Sequence, residues 1–232
     1  MRRRAQKARG SARVERHAVQ IDLPCGTTWH VREAGKKLAY RAQLPGARVF
    51  DLAGESFRRA KAAGVSAYDR FTLALPASWL VNSPAISTVL RRWALQPHRE
   101  ACMALIDVFE RGPEEWSADP GTPEGIRLCV SALGDEAYVT EALSKVLALV
   151  VPEAVPLMPS RARAFVLGEA AKDEGDAFGR MVEWFARAAI AHAPELDRIA
   201  REHREVELSG AGVLDRLLWF DSEGHAHFPK ID

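Results

Sequence analysis

The sequence predicts a mainly α-helical single domain, a bundle of eight or nine helices with a small β element drawn from the two terminal regions. Three observations predict it. Apolar residues recur at steps of three and four over most of the chain, proline and glycine fall where helices begin and end, and no strand–helix–strand rhythm occurs. With 232 residues, 47% hydrophobic and 27% charged, the chain is long enough to bury a substantial core without staples.

Residues 1–17 form a basic arm. Arg2, Arg3, Arg4, Lys7, Arg9, Arg13 and Arg16 stand against Glu15 alone, a balance of +6 that leaves −5 for the rest of a chain whose total is +1. Residues 18–232 are expected to be one domain: a β and irregular opening stretch over 18–50, helices over 51–220, and a turn or strand over 221–232. In the opening stretch Val19, Ile21 and Leu23 alternate, Pro24-Cys25-Gly26 turns, and Trp29 and Val31 return. Gly35, Pro45 and Gly46 mark residues 32–50 as an irregular connection.

The first helix runs from Leu52 to Ala63 and stops at Gly64. Ser83-Pro84 opens another, with Ile86, Val89, Leu90 and Trp93 as its stripe. The next begins at Pro97, carries Cys102, Leu105, Ile106 and Phe109, and ends at Gly112-Pro113. The segment from Glu114 to Pro123, with Asp119, Pro120, Gly121 and Thr122, is expected to be loop. Thr122-Pro123 starts a helix that Gly134 breaks.

The segment that follows has the clearest stripe, Val139, Leu143, Val146, Leu147 and Val150, with Asp135 and Glu136 at its positive end. It predicts a central, largely buried helix. Pro152, Pro156 and Pro159 then enforce a stiff extended connector. Helices resume over Arg161–Leu167, over a segment bearing Met181, Phe185, Ala188, Ala189 and His192, over a polar stretch from Pro194 to about Glu207, and from Ser209-Gly210 to Phe220.

Composition excludes several function classes. No apolar run approaches the ~20 residues a spanning helix needs, so a membrane role is not expected. Three cysteines, Cys25, Cys102 and Cys129, lack metal-ligand spacing and suit packing in a reduced, cytoplasmic interior. Neither a glycine-rich phosphate loop nor a Gly-x-Ser-x-Gly elbow nor a His-Glu-x-x-His helix can be written on the chain. No cofactor is implied.

His98 with Cys102, and His225 with His227, have spacings a metal can use, but each pair needs further ligands. Asp107 and Glu110 would make an acid–base pair only if burial split their pKa values. Trp93, Trp184 and Trp219 fall on apolar helix faces and are expected in the core.

Residues 133–147, Leu133-Gly134-Asp135-Glu136-Ala137-Tyr138-Val139-Thr140 onward to Leu147, the link Pro152 to Arg161, and the closing Leu217-Leu218-Trp219-Phe220 resemble the helix-hairpin-helix DNA glycosylase superfamily, in particular a bacterial branch of it. The resemblance spans about residues 120–220. It implies a helical frame and an association with nucleic acid. It does not imply the chemistry: Asp135, Glu136 and Ala137 replace the second hairpin glycine, Met158 and Pro159 stand where the catalytic aspartate is expected, and Val139 stands where the helix would carry a lysine. Lys145 lies a turn or more away and reads as polar trim.

The expectation is a nonenzymatic nucleic-acid-associated or accessory protein that contacts DNA or RNA through Arg2, Arg3, Arg4, Lys7, Arg9 and Arg13, with Arg58, Arg59, Arg91, Arg92, Arg161 and Arg163 adding phosphate contacts. Two alternatives remain open at this point. One is a protein-interaction or self-association module using the broad apolar face of Val213 to Phe220. The other is an enzyme whose catalytic residues are dispersed along the chain.

Overall fold

Ten helices and one two-stranded antiparallel sheet make up the computed structural model, which describes residues 19–77, 98–112, 114–115, 121–134, 137–168, 173–203 and 208–223. In chain order these are β1 (Val19–Asp22), β2 (Thr28–Val31), α1 (Ala34–Ala42), α2 (Pro45–Ala62), α3 (Ala67–Ala77), α4 (His98–Glu110), α5 (Thr122–Leu133), α6 (Ala137–Val150), α7 (Ser160–Leu167), α8 (Glu174–Ala191), α9 (Ala193–Glu202) and α10 (Gly210–Ser222). Among the sequence expectations, the arm 1–17, the Ser83-Pro84 helix with Trp93, the acidic pair Asp135 and Glu136, and residues 224–232 lie outside the described residues; of the expected loop over 114–123, residues 116–120 lie outside as well, and 114–115 are helical rather than loop.

The β hairpin follows its alternation. Val19 pairs with Val31 and Ile21 with Trp29, so all four side chains share the buried face. Gly26, at φ 86°, makes the turn. Among the described residues both strands come from the N-terminal region, where the sequence had suggested that both termini contribute. Asp221 and Ser222, expected in a turn, close α10 instead. From there Asp221 reaches the sheet by side chain, accepting the Trp29 indole N–H at 2.8 Å.

Residues 32–50 are helical rather than irregular. The punctuating residues have other uses. Pro45 sits in the first turn of α2, where a missing N–H costs nothing. Gly35 lies so close to His203 that a Cβ there would stand 2.3 Å from the imidazole. α3 is also additional to the expected helices, and Ser66 marks its start by accepting the Asp69 N–H at 3.1 Å.

The expected central helix is the axis of the molecule. In α6 the side chains from Val139 to Val150 are buried except Glu141, and α2, α3 and α8 pack on it. Helix α8 lies most extensively against α5, with Gly175 at their closest approach. α10 lies against α1, α7, α8 and α9. The buried side chains from β1 through α10 form one connected apolar cluster, whose burial is the main stabilising contribution.

The proline-rich link between α6 and α7, expected from the sequence to be extended, is not extended throughout: residues 152–154 turn, with the Ala154 and Val155 N–H groups donating to the Val151 carbonyl, and most of the link is buried. Both of its exposed-looking N–H groups near the end are claimed. Leu157 donates to Asp215 Oδ1 at 2.7 Å and Met158 donates to Ser144 Oγ at 3.0 Å. Side chains thereby satisfy backbone that no helix or sheet serves.

Candidate functional site

The proline link, the start of α2 and the end of α10 enclose a half-open cavity of about 400 Å³, within the usual range of about 300–1,000 Å³ for small-molecule sites. Its walls are apolar where Leu44, Phe50, Leu157, Met158, Pro159 and Trp219 line it. Its polar groups are Arg41 at the end of α1, Glu141 and Lys145 one turn apart on α6, and Glu223 just beyond α10. Met158 and Pro159, the residues that replace a catalytic aspartate in the resemblance, therefore do line a cavity. Lys145, read as polar trim, is 8% exposed and faces the same space.

Behind Arg41 lies a buried charge network. Asp51 of α2 accepts from Arg41 on one oxygen and from Arg216 on the other, and Arg216 also pairs with Asp215. Two guanidinium groups and two carboxylates balance in charge, as a buried cluster must. Burial pulls Arg41 down to about 10, with neighbouring Arg216 adding to the effect and Asp51 opposing it. Burial alone would lower Arg216 as well, but Asp215 and Asp51 together outweigh it and hold that guanidinium above its usual range. Both remain cations at neutral pH. Arg41 stands 5.4 Å from the Trp219 ring centre, which fixes one wall of the cavity against the network.

Of the cations proposed from sequence, four lie among the described residues, and three of these pair with carboxylates of the chain. Arg59 is exposed and pairs with Glu55 one turn earlier. Arg58 lies beside it on α2, half-buried. Arg161 is exposed and bonds Glu223 at 3.1 Å. Arg163 is mostly buried and pairs with Glu174, which also accepts the Thr140 hydroxyl at 2.6 Å. Arg2, Arg3, Arg4, Lys7, Arg9, Arg13, Arg91 and Arg92 lie outside the described residues.

Other candidates resolve plainly. Glu110 is bound by the buried Arg70, and Asp107 is exposed, so they do not form an acid–base pair. Among the described residues no group of three or more His, Cys, Asp or Glu side chains gathers for a metal, and no helix is long and apolar enough to cross a membrane. Trp29 and Trp184 are core residues, whereas Trp219 is only half-buried and lines the cavity.

The apolar face of Val213, Leu214, Leu217, Leu218 and Phe220 is not an open surface. All five side chains are buried in the core. A stripe this broad is read from sequence as adhesive because periodicity reports a face and not what covers it. The three cysteines are free thiols, one buried and two half-buried.

Comparisons with protein-family models, with curated proteins and with solved structures give no match to this chain. The site is therefore defined by its own geometry: an apolar-walled cavity edged by the buried cations Arg41 and Lys145.

Proposed function

We propose that this protein is a nonenzymatic nucleic-acid-associated protein, in which the basic arm holds phosphates and the helical body carries the remaining interactions. The division of charge carries this reading: +6 on residues 1–17 and −5 on everything after them. Within the body, Arg59, Arg161 and Arg163 already answer carboxylates of the same chain, whereas the sequence of the arm sets seven cations against Glu15 alone. Such an arm gains affinity by releasing counterions from a polyanion, without reading sequence. The resemblance of residues 120–220 to a superfamily that acts on DNA supports the same class of partner.

The test is anisotropy titration of a labelled duplex and a labelled single strand, at two salt concentrations, with the full chain and with a chain lacking residues 1–17. Affinity should fall steeply with salt, by about 0.9 logarithmic units per phosphate neutralised on duplex for each tenfold rise in salt, and deletion should remove most of that slope. An unchanged affinity and slope after deletion would refute the role of the arm. Release of free bases from damaged duplexes would refute the nonenzymatic half of the reading.

A further inference from the structure

The cavity wall contains a buried ammonium with spare donors. Lys145 Nζ donates to Glu141 Oε1 at 2.6 Å, its one partner among the described residues, although a protonated amine has three N–H groups to place. Taking such a group out of water with bonds unmade is costly. Arg41, 3% exposed, lines the same wall and adds a second positive charge there, its guanidinium anchored from behind by Asp51.

Both cations line the same space as the first turn of α2. That turn is uncapped. Leu44 stands at the capping position with no oxygen to offer, Pro45 follows, and no acidic residue lies in the turn. The N–H groups of Gly46 and Ala47 thus have no side chain to accept them, at the positive end of an 18-residue helix. No side chain of Gly46 covers this turn, and a Cβ built there would meet nothing within 4 Å. The two carboxylates of the cavity are already engaged, Glu141 by Lys145 and Glu223 by Arg161.

We propose that this cavity binds an amphipathic small molecule whose single oxyanion lies among Lys145, Arg41 and the first turn of α2, while its apolar body rests against Phe50, Met158 and Trp219. A carboxylate or a phosphate ester would serve as the head, since either supplies acceptor oxygens for the spare N–H groups of Lys145 and of the α2 turn, beside the charge of Arg41. The apolar walls exclude a bare inorganic ion as the whole ligand, because burial of the body supplies the larger share of affinity. The donors and walls named here all belong to residues 41–223, so their variants test this site separately from nucleic-acid association.

The test titrates the full chain with anilinonaphthalene sulfonate, an aromatic oxyanion, and with N-phenylnaphthylamine, the same body without the charge, following probe fluorescence. One saturable site is expected, at least about tenfold tighter for the anionic probe, a difference of about 1.4 kcal/mol. Lys145→Met should weaken the anionic probe about tenfold and leave the neutral one within twofold. Ala47→Phe, which fills the mouth of the cavity and leaves every ion pair in place, should abolish both, and it decides the matter if Lys145→Met does not fold. Displacement of the sulfonate by phenyl phosphate or by phenylacetate identifies the head group. Equal affinity for the two probes, persistence of binding in Ala47→Phe, a Lys145→Met protein that folds and binds the sulfonate unchanged, or displacement by neither competitor would overturn the proposal.

Discussion

Asp51 and Arg216, 165 positions apart in sequence, meet inside the protein with a guanidinium nitrogen 2.7 Å from the carboxylate. The contact ties α2 to α10 behind the cavity, and Arg41 joins it from α1.

Asp51→Asn should be among the most damaging substitutions in the chain. It leaves Arg41 and Arg216 buried with only Asp215 to balance them, and breaking a buried pair by removing one partner costs about 3–5 kcal/mol. The measurement is the urea midpoint at constant slope. A loss under about 1 kcal/mol would mean that water reaches the network.

Ser144→Ala should cost about 1–3 kcal/mol although the volume change is small. Ser144 Oγ accepts the Met158 N–H at 3.0 Å and donates to the Glu141 carbonyl at 2.8 Å. Without it a buried backbone donor of the proline link has no partner. Chemical denaturation reads the loss, and hydrogen exchange at Met158 should accelerate with it.

Gly175→Ala should destabilise by about 1–3 kcal/mol. A Cβ there would stand 2.8 Å from the Arg127 carbonyl oxygen and 2.8 Å from Ser131 Oγ, and the backbone oxygen of α5 cannot turn aside. Gly46→Ala is the control, since a Cβ there meets open space; it should melt near the parent temperature.

The thiols should separate by reactivity. Burial pushes the Cys102 thiol up to about 12, with Cys129 adding to it, whereas the Thr27 hydroxyl bonded to Cys25 holds that thiol below its usual value. With a maleimide at pH 8, Cys25 should react first and Cys102 only on unfolding. The pH dependence has a definite sign. The unfolded thiol ionises near 8.5 and the folded one near 12, so the contribution of Cys102 is complete below about pH 8.5. It is lost as pH rises toward 12, at up to about 1.4 kcal/mol per pH unit. Cys102→Ala should flatten that part of the stability curve.

The helices with a clear apolar stripe were legible in the sequence, α6 above all, because its stripe and its burial are the same fact. So were the ends at Gly64, Gly112 and Gly134, where positive φ is required. α1 and the start of α2 were not legible, because Gly35 and Pro45 read as breakers until their neighbours are known. The cavity was hidden for a further reason. Its walls come from positions 41–50, 141–145, 157–159 and 219–223, and no local pattern joins four separated segments. Lys145 shows this best: on an amphipathic helix it looks solvated, and only the folding of the proline link and α1 around it makes it an interior ammonium.

The proline link couples two helices mechanically. Adjacent residues, Leu157 and Met158, hand their N–H groups to opposite helices, one to Asp215 on α10 and the next to Ser144 on α6. The floor of the cavity is thus clamped from two sides by partners that are not neighbours in the chain. Any displacement of α6 against α10 must pull one of those bonds open, so the two helices cannot slide without reshaping the chamber, and a molecule lodged there would in turn brake their sliding.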